Sequence, residues 1–193
     1  MKQIMKLSTA ITFMVLGLTV AFAANNSNAD TNFTGPKPLV TETDTPQIHC
    51  LAMNIYHEAR NESLAGQAAV ADVVLNRVKD RRYPSTICEV VHDGPVKESW
   101  KTRQTPDPDD AVYHPIRNRC QFSWYCDGKS DEPKNRVAWE SAKLLAWQML
   151  REGRFVGVSQ GATHYHATYV DPSWARAFRL VGRIDTHIFY RAD

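Results

Sequence analysis

The stretch Tyr56-His57-Glu58-Ala59-Arg60-Asn61-Glu62-Ser63 closes one amphipathic helical pattern, leads into another, and leaves one carboxylic acid at the end of the first. Upstream, Thr45 is an N-cap candidate and Pro46 holds a first-turn position that tolerates proline, so the spacing predicts a helix from there to about Arg60. Its core stripe is Ile48, Leu51, Ala52, Ile55 and Ala59, at three- and four-residue steps. At roughly 100° per residue, Glu58 falls about 80° from the middle of that stripe, near Leu51 in azimuth, whereas His57 is expected on the opposite side. Glu58 is therefore expected at the core boundary. Partial burial and the negative end of the helix dipole both disfavour an ionised carboxyl and raise its pKa. Pairing with Arg60 would oppose that shift, and the competing reading is a solvated glutamate at a fraying helix end.

Beyond the turn, Ala68, Ala71, Val74, Leu75 and Val78 recur at helical spacing through Leu64 to Asp80, and Tyr83-Pro84-Ser85 ends the run. Small residues at Ala65, Ala68, Ala69 and Ala71 let helix axes approach closely, which predicts a tight antiparallel pair with Glu58 beside Gln67. Ser85 to Val91 predicts one more helical turn. Gly94 to Arg119 is polar and carries Pro95, Pro106, Pro108 and Pro115; it reads as a long loop, either a wall of a substrate groove or a surface insertion. Asp131-Glu132-Pro133 is expected to open a third long helix that Gly153 closes, with Trp139, Ala142, Leu145, Ala146, Met149 and Leu150 as its stripe. The segments Ala162 to Ala167 and Asp185 to Tyr190 are short, aromatic and interleaved with histidine, and read as strands or irregular structure. The expected fold class is mainly α (α+β), a single domain with a short irregular or β-containing C-terminal part.

The chain starts with a basic Met1 to Lys6, then runs from Leu7 to Phe22 without a charge, and Ala21-Phe22-Ala23 has the small-x-small form of a cleavage site. The expected division is a signal peptide over 1–23, a flexible leader over 24–45 and a catalytic domain over 46–193. The apolar run is short for a bilayer span and no Cys follows the cleavage site, so the expectation is an exported protein of the periplasm or cell envelope that does not span the membrane. Cys50, Cys88, Cys120 and Cys126 are an even count in an exported chain; among three connectivities, Cys50–Cys88 and Cys120–Cys126 are favoured. A zinc site from these thiols is disfavoured, because they contain no C-x2-C pair. Without Lys2 and Lys6 the basic residues equal the 21 acidic ones, which leaves no net charge to attract nucleic acid.

Four separated motifs now stand in order: Leu51-Ala52-Met53-Asn54-Ile55-Tyr56-His57-Glu58-Ala59-Arg60; Gly66 to Val78, which ends in Leu75-Asn76-Arg77-Val78; Cys120-Gln121-Phe122-Ser123; and Gly161-Ala162-Thr163-His164-Tyr165. Over roughly residues 48 to 190 the chain resembles the cell wall hydrolase family of spore cortex-lytic enzymes. The resemblance implies a lysozyme-like, mainly helical fold that cleaves the glycan strands of peptidoglycan, with the family's catalytic glutamate falling on Glu58. It also implies that many relatives are lytic transglycosylases. The chain departs from the spore enzymes in its four cysteines, its Gly94 to Arg119 loop and its Thr163-His164-Tyr165-His166 segment, and no separate wall-binding domain is legible; no sporulation role follows.

The residue chemistry fits that implication. Protonating a glycosidic oxygen at neutral pH requires an acid such as a glutamate of raised pKa. A water-using muramidase or glucosaminidase usually needs a second carboxylate, about 5–5.5 Å away for retention or about 6.5–9.5 Å for inversion. Glu62, Asp72, Asp171 and Asp185 are not evident partners. A lytic transglycosylase manages with Glu58 alone, because the muramyl 6-hydroxyl attacks its own anomeric carbon. In this reading Gln67 and Ser123 bond sugar or peptide groups, and Phe122 and Tyr165 form an apolar or stacking wall; ordinary packing is the alternative for all four. The expected partner is the peptidoglycan glycan strand, with no cofactor, no metal and a monomeric protein. One rival is a zinc-dependent peptidoglycan amidase or peptidase using His57, Glu58, His164, His166 or His187, though Asn61 breaks an H-E-x-x-H pattern. The other is a non-catalytic peptidoglycan-binding envelope protein.

Overall fold

Ser63 sets the junction between the first two helices. Its backbone is extended and its side chain accepts a hydrogen bond from the Gly66 N–H, so α1 (Thr45–Ala59) stops and α2 (Leu64–Lys79) starts within four residues. The computed structural model describes residues 45–104 and 107–192. The expected signal peptide, and the leader up to residue 44, lie outside them. Thr45 is itself the first described residue of the helix, not a residue ahead of it as expected of a cap.

Both helices bury the stripes that their spacing predicts, but α2 is buried on two sides. One side, with Ala68, Ala71, Val74 and Leu75, packs into a core shared with Leu51 and Ile55 of α1, with Val90 and Val91 of α3 (Ile87–Val91), and with Leu145 and Leu150 of α4 (Arg136–Arg151). The other, with Ala69, Val70 and Val73, meets Ala162 and Phe189 of the C-terminal sheet. Helices clothed all round read as apolar all round. α3 carries a full capping box between Thr86 and Glu89, and the Cys50–Cys88 disulfide ties it to α1.

Two expectations need correction. α4 starts at Arg136 with Asn135 as its cap, not at Asp131-Glu132-Pro133. Glu132 precedes a proline and is biased away from helix, and the segment does other work: the Asn135 N–H donates to the Tyr56 hydroxyl at 2.9 Å, and the Asp131 carbonyl accepts from His57 Nε2 at 3.0 Å. Gly94 to Arg119 is not a structureless loop. It holds an antiparallel ribbon of β1 (Val96–Glu98) and β2 (Tyr113–Pro115), with short 3-10 turns at Thr102–Gln104 and Pro108–Asp110. The Cys120–Cys126 disulfide closes the loop that follows it.

The C-terminal segments are strands. β3 (His164–Ala167) and β4 (Arg179–Ile184) flank β5 (His187–Arg191) in an antiparallel sheet of order β3-β5-β4. Asp185 and Thr186 form the two-residue turn between β4 and β5, with Asp185 at φ 50°. β4 had no clear signal in the sequence, since a register shift between Leu180 and Gly182 breaks its alternation. Among the described residues, no helix is long and apolar enough to cross a membrane.

A fully buried carboxylate fastens α2 to the segment ahead of the sheet. Asp72 accepts from the N–H groups of Gly157 and Ser159 at 2.9 and 3.0 Å and from the Ser159 hydroxyl at 2.6 Å. Asp72→Ala strands the two buried donors of Ser159 and frees the Gly157 N–H, and the expected cost in a urea melt is about 3 kcal/mol. A loss below about 1 kcal/mol would show that the segment does not depend on this anchor.

Candidate active site

Glu58 leaves the last turn of α1 half-buried, and its surroundings come from three other parts of the chain. The Tyr165 hydroxyl, from β3, donates to Glu58 Oε2 at 3.1 Å. Arg77, from α2, contributes a nearby positive charge. Burial is the largest influence and raises the Glu58 pKa above the usual carboxyl value, while the Tyr165 hydrogen bond and then the Arg77 charge oppose it. Burial and the neighbouring Glu58 push the Tyr165 phenol well above its ordinary value, so it stays a proton donor in this pair.

Two clamps set the sheet against the end of α1. The Ser63 N–H and hydroxyl donate to Asp185 Oδ2 at 2.8 and 2.6 Å, and the Thr186 N–H and hydroxyl donate to the Glu62 carboxylate. The turn after α1 and the turn between β4 and β5 therefore hold each other through carboxylates. Gly66 is required there, because a Cβ would collide with the Asp185 carboxylate.

Arg77 is a third fastening. It is 6% exposed, donates through Nε to the Thr163 carbonyl at 2.8 Å and through Nη1 to Gln121 Oε1 at 3.4 Å, and lies over the rings of Tyr83 and Phe122. Asn76 beside it donates to the Ala162 carbonyl at 2.9 Å and to the Ser159 hydroxyl at 3.0 Å. The sequence signal for Arg77 is its place three, four and seven residues after Val74, Val73 and Val70, on an apolar stripe. That position was not singled out as a site residue.

A cleft of about 530 Å³ opens over Glu58, with Arg77, Phe122, Ser123, Trp124, Tyr165 and Trp174 in its walls. Among its described lining residues, Glu58 is the single carboxylate. A second recess of about 200 Å³ shares His57, Glu58, Tyr169 and His187 with it and adds Arg60, Asn61, Glu62 and Thr186. Glu58 thus stands where an aromatic recess and a polar one meet.

The expected site residues fare differently. Ser123 lies exposed in the cleft wall. Phe122 lines the cleft but is 3% exposed, so it supports Arg77 more than it offers a face to a ligand. Tyr165 is not simply an apolar wall, since its hydroxyl holds Glu58. Gln67 is outside the cleft: its side-chain amide donates to the Glu62 carbonyl at 3.0 Å and secures the turn. His57 does not point away; it stacks on Trp124 at 4.5 Å and lines both recesses. Arg60 does not pair with Glu58, because its guanidinium donates to the Tyr56 carbonyl and covers the Tyr56 ring. Among the described residues of Gly94 to Arg119, none lines the cleft.

The other carboxylates have structural partners. Asp72 and Glu62 are bonded as described, Asp185 holds Ser63, and the exposed Asp171 faces Arg176 at 3.6 Å. The histidines are engaged too. His166 Nδ1 donates to the Ala167 carbonyl and its Nε2 meets the Tyr190 hydroxyl, while His164 bonds Thr163 and stacks on Phe178. Burial, with Arg77 and Arg82 nearby, pushes His164 down to about 4, so it is neutral at neutral pH. Among the described residues, no three His, Cys, Asp or Glu side chains are grouped as ligands of one metal ion.

Comparison with known proteins follows the same lines. The family model described as Cell Wall Hydrolase matches residues 61–190, a span that starts just after Glu58. A spore cortex-lytic enzyme of Oceanobacillus iheyensis is 34% identical over 70 residues, which are 36% of this chain and 25% of that protein. The chain therefore matches only about a quarter of that relative's length. Among solved structures, the catalytic domain of the germination-specific lytic transglycosylase SleB from Bacillus anthracis aligns over 79% of this chain and 100% of its own, at 23% identity and a TM-score of 0.51. The SleB catalytic domain of Bacillus cereus aligns over 81% and 99%, at 21% identity and a TM-score of 0.49. The former likeness gives the fold, a lysozyme-like α+β arrangement. With its model matched over about two thirds of the sequence, the chain belongs to the cell wall hydrolase family.

Proposed function

We propose that residues 46–193 form a catalytic domain that cuts peptidoglycan glycan strands between N-acetylmuramic acid and N-acetylglucosamine, as a lytic transglycosylase with Glu58 as acid and then base. The observation that carries this reading is the single, half-buried carboxylate of raised pKa in the walls of an open cleft. Membership of a family of cell wall hydrolases supports the substrate class and fits work at the cell envelope. The two disulfides fit an oxidising compartment there.

The chemistry balances with one acid. Protonated Glu58 gives its proton to the glycosidic oxygen as the bond from the muramyl anomeric carbon to that oxygen breaks, and the N-acetylglucosamine end leaves as an alcohol. The glutamate, now ionised, faces a carbon with oxocarbenium character. It then takes the proton of the muramyl 6-hydroxyl while that oxygen bonds to the anomeric carbon, which closes a 1,6-anhydro ring and restores the acid. No water is consumed. Tyr165 donates to Oε2, which leaves Oε1 to carry the proton. Ser123 supplies a hydroxyl at the cleft wall for a sugar or peptide group, and Phe122 backs Arg77.

Glu58→Gln is expected to lower the release of soluble fragments from purified peptidoglycan by about 10³-fold, the scale of general acid–base catalysis. Mass spectrometry of wild-type products should show 1,6-anhydro-muramyl ends. Reducing ends would instead require water and a second carboxylate, freed peptides would point to an amidase, and binding without turnover would end the enzymatic reading.

Two pH experiments follow from the electrostatics. Glu58 must start protonated, so the rate falls on the alkaline side as it ionises. The Tyr165 hydrogen bond favours the ionised form, so Tyr165→Phe should raise the Glu58 pKa further. The alkaline limb should move to higher pH, with a maximal rate lower by about ten-fold. A limb that stays in place would detach the two residues. Stability gives an independent reading. A carboxyl whose pKa is raised on folding stabilises the fold below its unfolded value and loses that contribution as pH rises through the folded value. Glu58→Gln should therefore melt no lower than wild type at pH 7, and its advantage should grow between pH 4 and pH 7; a constant deficit would contradict the assigned shift.

A further inference from the structure

We propose that the β1–β2 ribbon carries a second binding site, remote from the cut bond, for the carboxylate-bearing stem peptides of peptidoglycan. It rests on the proposed substrate class but not on the cleavage chemistry. The ribbon has a depression of about 410 Å³ lined by Lys97, Glu98, Ser99, Trp100, Lys101, Arg103 and His114. None of these residues lines either recess at Glu58.

The depression combines the basic side chains of Lys97, Lys101 and Arg103 with one aromatic plate. Lys97 lies opposite His114 in the antiparallel register, so the two share a face of the ribbon. Trp100 is 62% exposed, and the Lys101 ammonium stands 5.9 Å from its ring centre. Glu98 is the one carboxylate in this lining, and its Oε1 accepts from the Thr102 hydroxyl at 3.3 Å. The balance in the depression is therefore positive, although the whole chain is nearly neutral.

The turn that presents these groups is built in advance. The Arg103 N–H donates to the Ser99 carbonyl at 3.1 Å, the Ser99 N–H to the Val112 carbonyl at 2.7 Å, and the Val112 N–H to the Thr102 hydroxyl at 3.2 Å. At the root of the ribbon the Ile116 N–H donates to the Pro95 carbonyl at 2.9 Å, next to the Cys120–Cys126 loop. An exposed tryptophan beside lysine and arginine fits an extended anionic chain with some apolar surface. Stem peptides offer free carboxylates on a short, partly apolar backbone, repeated along each strand. A polymer that repeats its ligand can be held at two points, and the second contact keeps the cleft near further bonds.

The test is co-sedimentation with insoluble peptidoglycan, with Glu58→Gln present in every protein so that no substrate is consumed and the cleavage assignment plays no part. Trp100→Ala, and separately the triple change Lys97→Ala, Lys101→Ala, Arg103→Ala, should each weaken retention by about ten-fold at low salt, and the triple change should remove most of its salt dependence. Peptidoglycan stripped of stem peptides should hold the Glu58→Gln parent no better than intact material holds the triple variant. In the Glu58-containing background, both variants should cleave short soluble glycan fragments at the wild-type rate, which also shows that they fold. Unchanged retention, equal retention on peptide-free glycan, or binding of the ribbon to anionic phospholipid vesicles would each overturn the proposal. If a variant fails to fold, Lys97→Ala alone decides: it should weaken retention measurably, and no change would overturn the site.

Discussion

The candidate site depends on one buried cation. Arg77 reaches from α2 to the Thr163 carbonyl at the entry to β3 and to Gln121 beside the second disulfide, with the rings of Tyr83 and Phe122 against its guanidinium. Burial works against a charge here and lowers the Arg77 pKa, while its matched donors and the neighbouring Tyr83, Tyr165 and Asp93 favour the charged form, with Glu58 adding to them when it is ionised. The same fastening delivers Tyr165 two residues beyond Thr163, where its hydroxyl finds Glu58. Fold and site are one arrangement here: without the link between α2 and β3, the carboxyl on α1 has no partner and a different electrostatic setting.

Three influences act on Glu58, and their balance sets what the group can do. Arg77 and the Tyr165 hydroxyl both favour a carboxylate. Burial outweighs them, so the acid form persists to higher pH than in an exposed glutamate. A direct ion pair with Arg60 would oppose this further, and that guanidinium instead lies on the Tyr56 carbonyl and ring. The opposing pull has its own use. A group that donates a proton and soon recovers one works best when neither state is strongly preferred, and a nearby cation with a phenol donor limits the cost of the ionised form.

Much of this was legible in the residues. The periodicity of Leu51, Ile55 and Ala59 and of Ala68, Ala71 and Leu75 located α1 and α2 closely, because both present apolar stripes to a shared core. The azimuth of Glu58 located it at the core boundary. Cysteine parity and spacing favoured the pairing that is found. What could not be read were contacts fixed by side chains distant in sequence. Nothing local to Gln67 says that its amide turns back to Glu62, and nothing local to His57 says that Trp124 will cover it. The start of α4 is hard to read because acidic residues and a proline form a plausible first turn, whereas Asn135 supplies the cap and the segment from Asp131 is bonded to His57 and Tyr56 of α1. Arg77 carries a signal of its own, since an arginine on a valine stripe is costly unless something buried requires it.

The position of Glu58 between unlike recesses bears on how a strand could be held. One recess offers aromatic surface from Trp174, the other offers Arg60, Asn61 and Thr186, and the exposed Tyr169 borders both. A sugar ring has an apolar face and a polar rim, so a chain crossing the acid can exchange stacking on one side for hydrogen bonding on the other. His164 in the aromatic recess and His187 in the wall that both recesses share are each held below their ordinary values chiefly by burial, so neither adds a positive charge there at neutral pH. Arg77 is then the buried cation of the aromatic recess, and Arg60 is the exposed one of the polar recess. That separation matters electrostatically. The cation that modulates the acid is fixed by the fold, whereas the exposed Arg60 remains within reach of a ligand without first releasing Glu58.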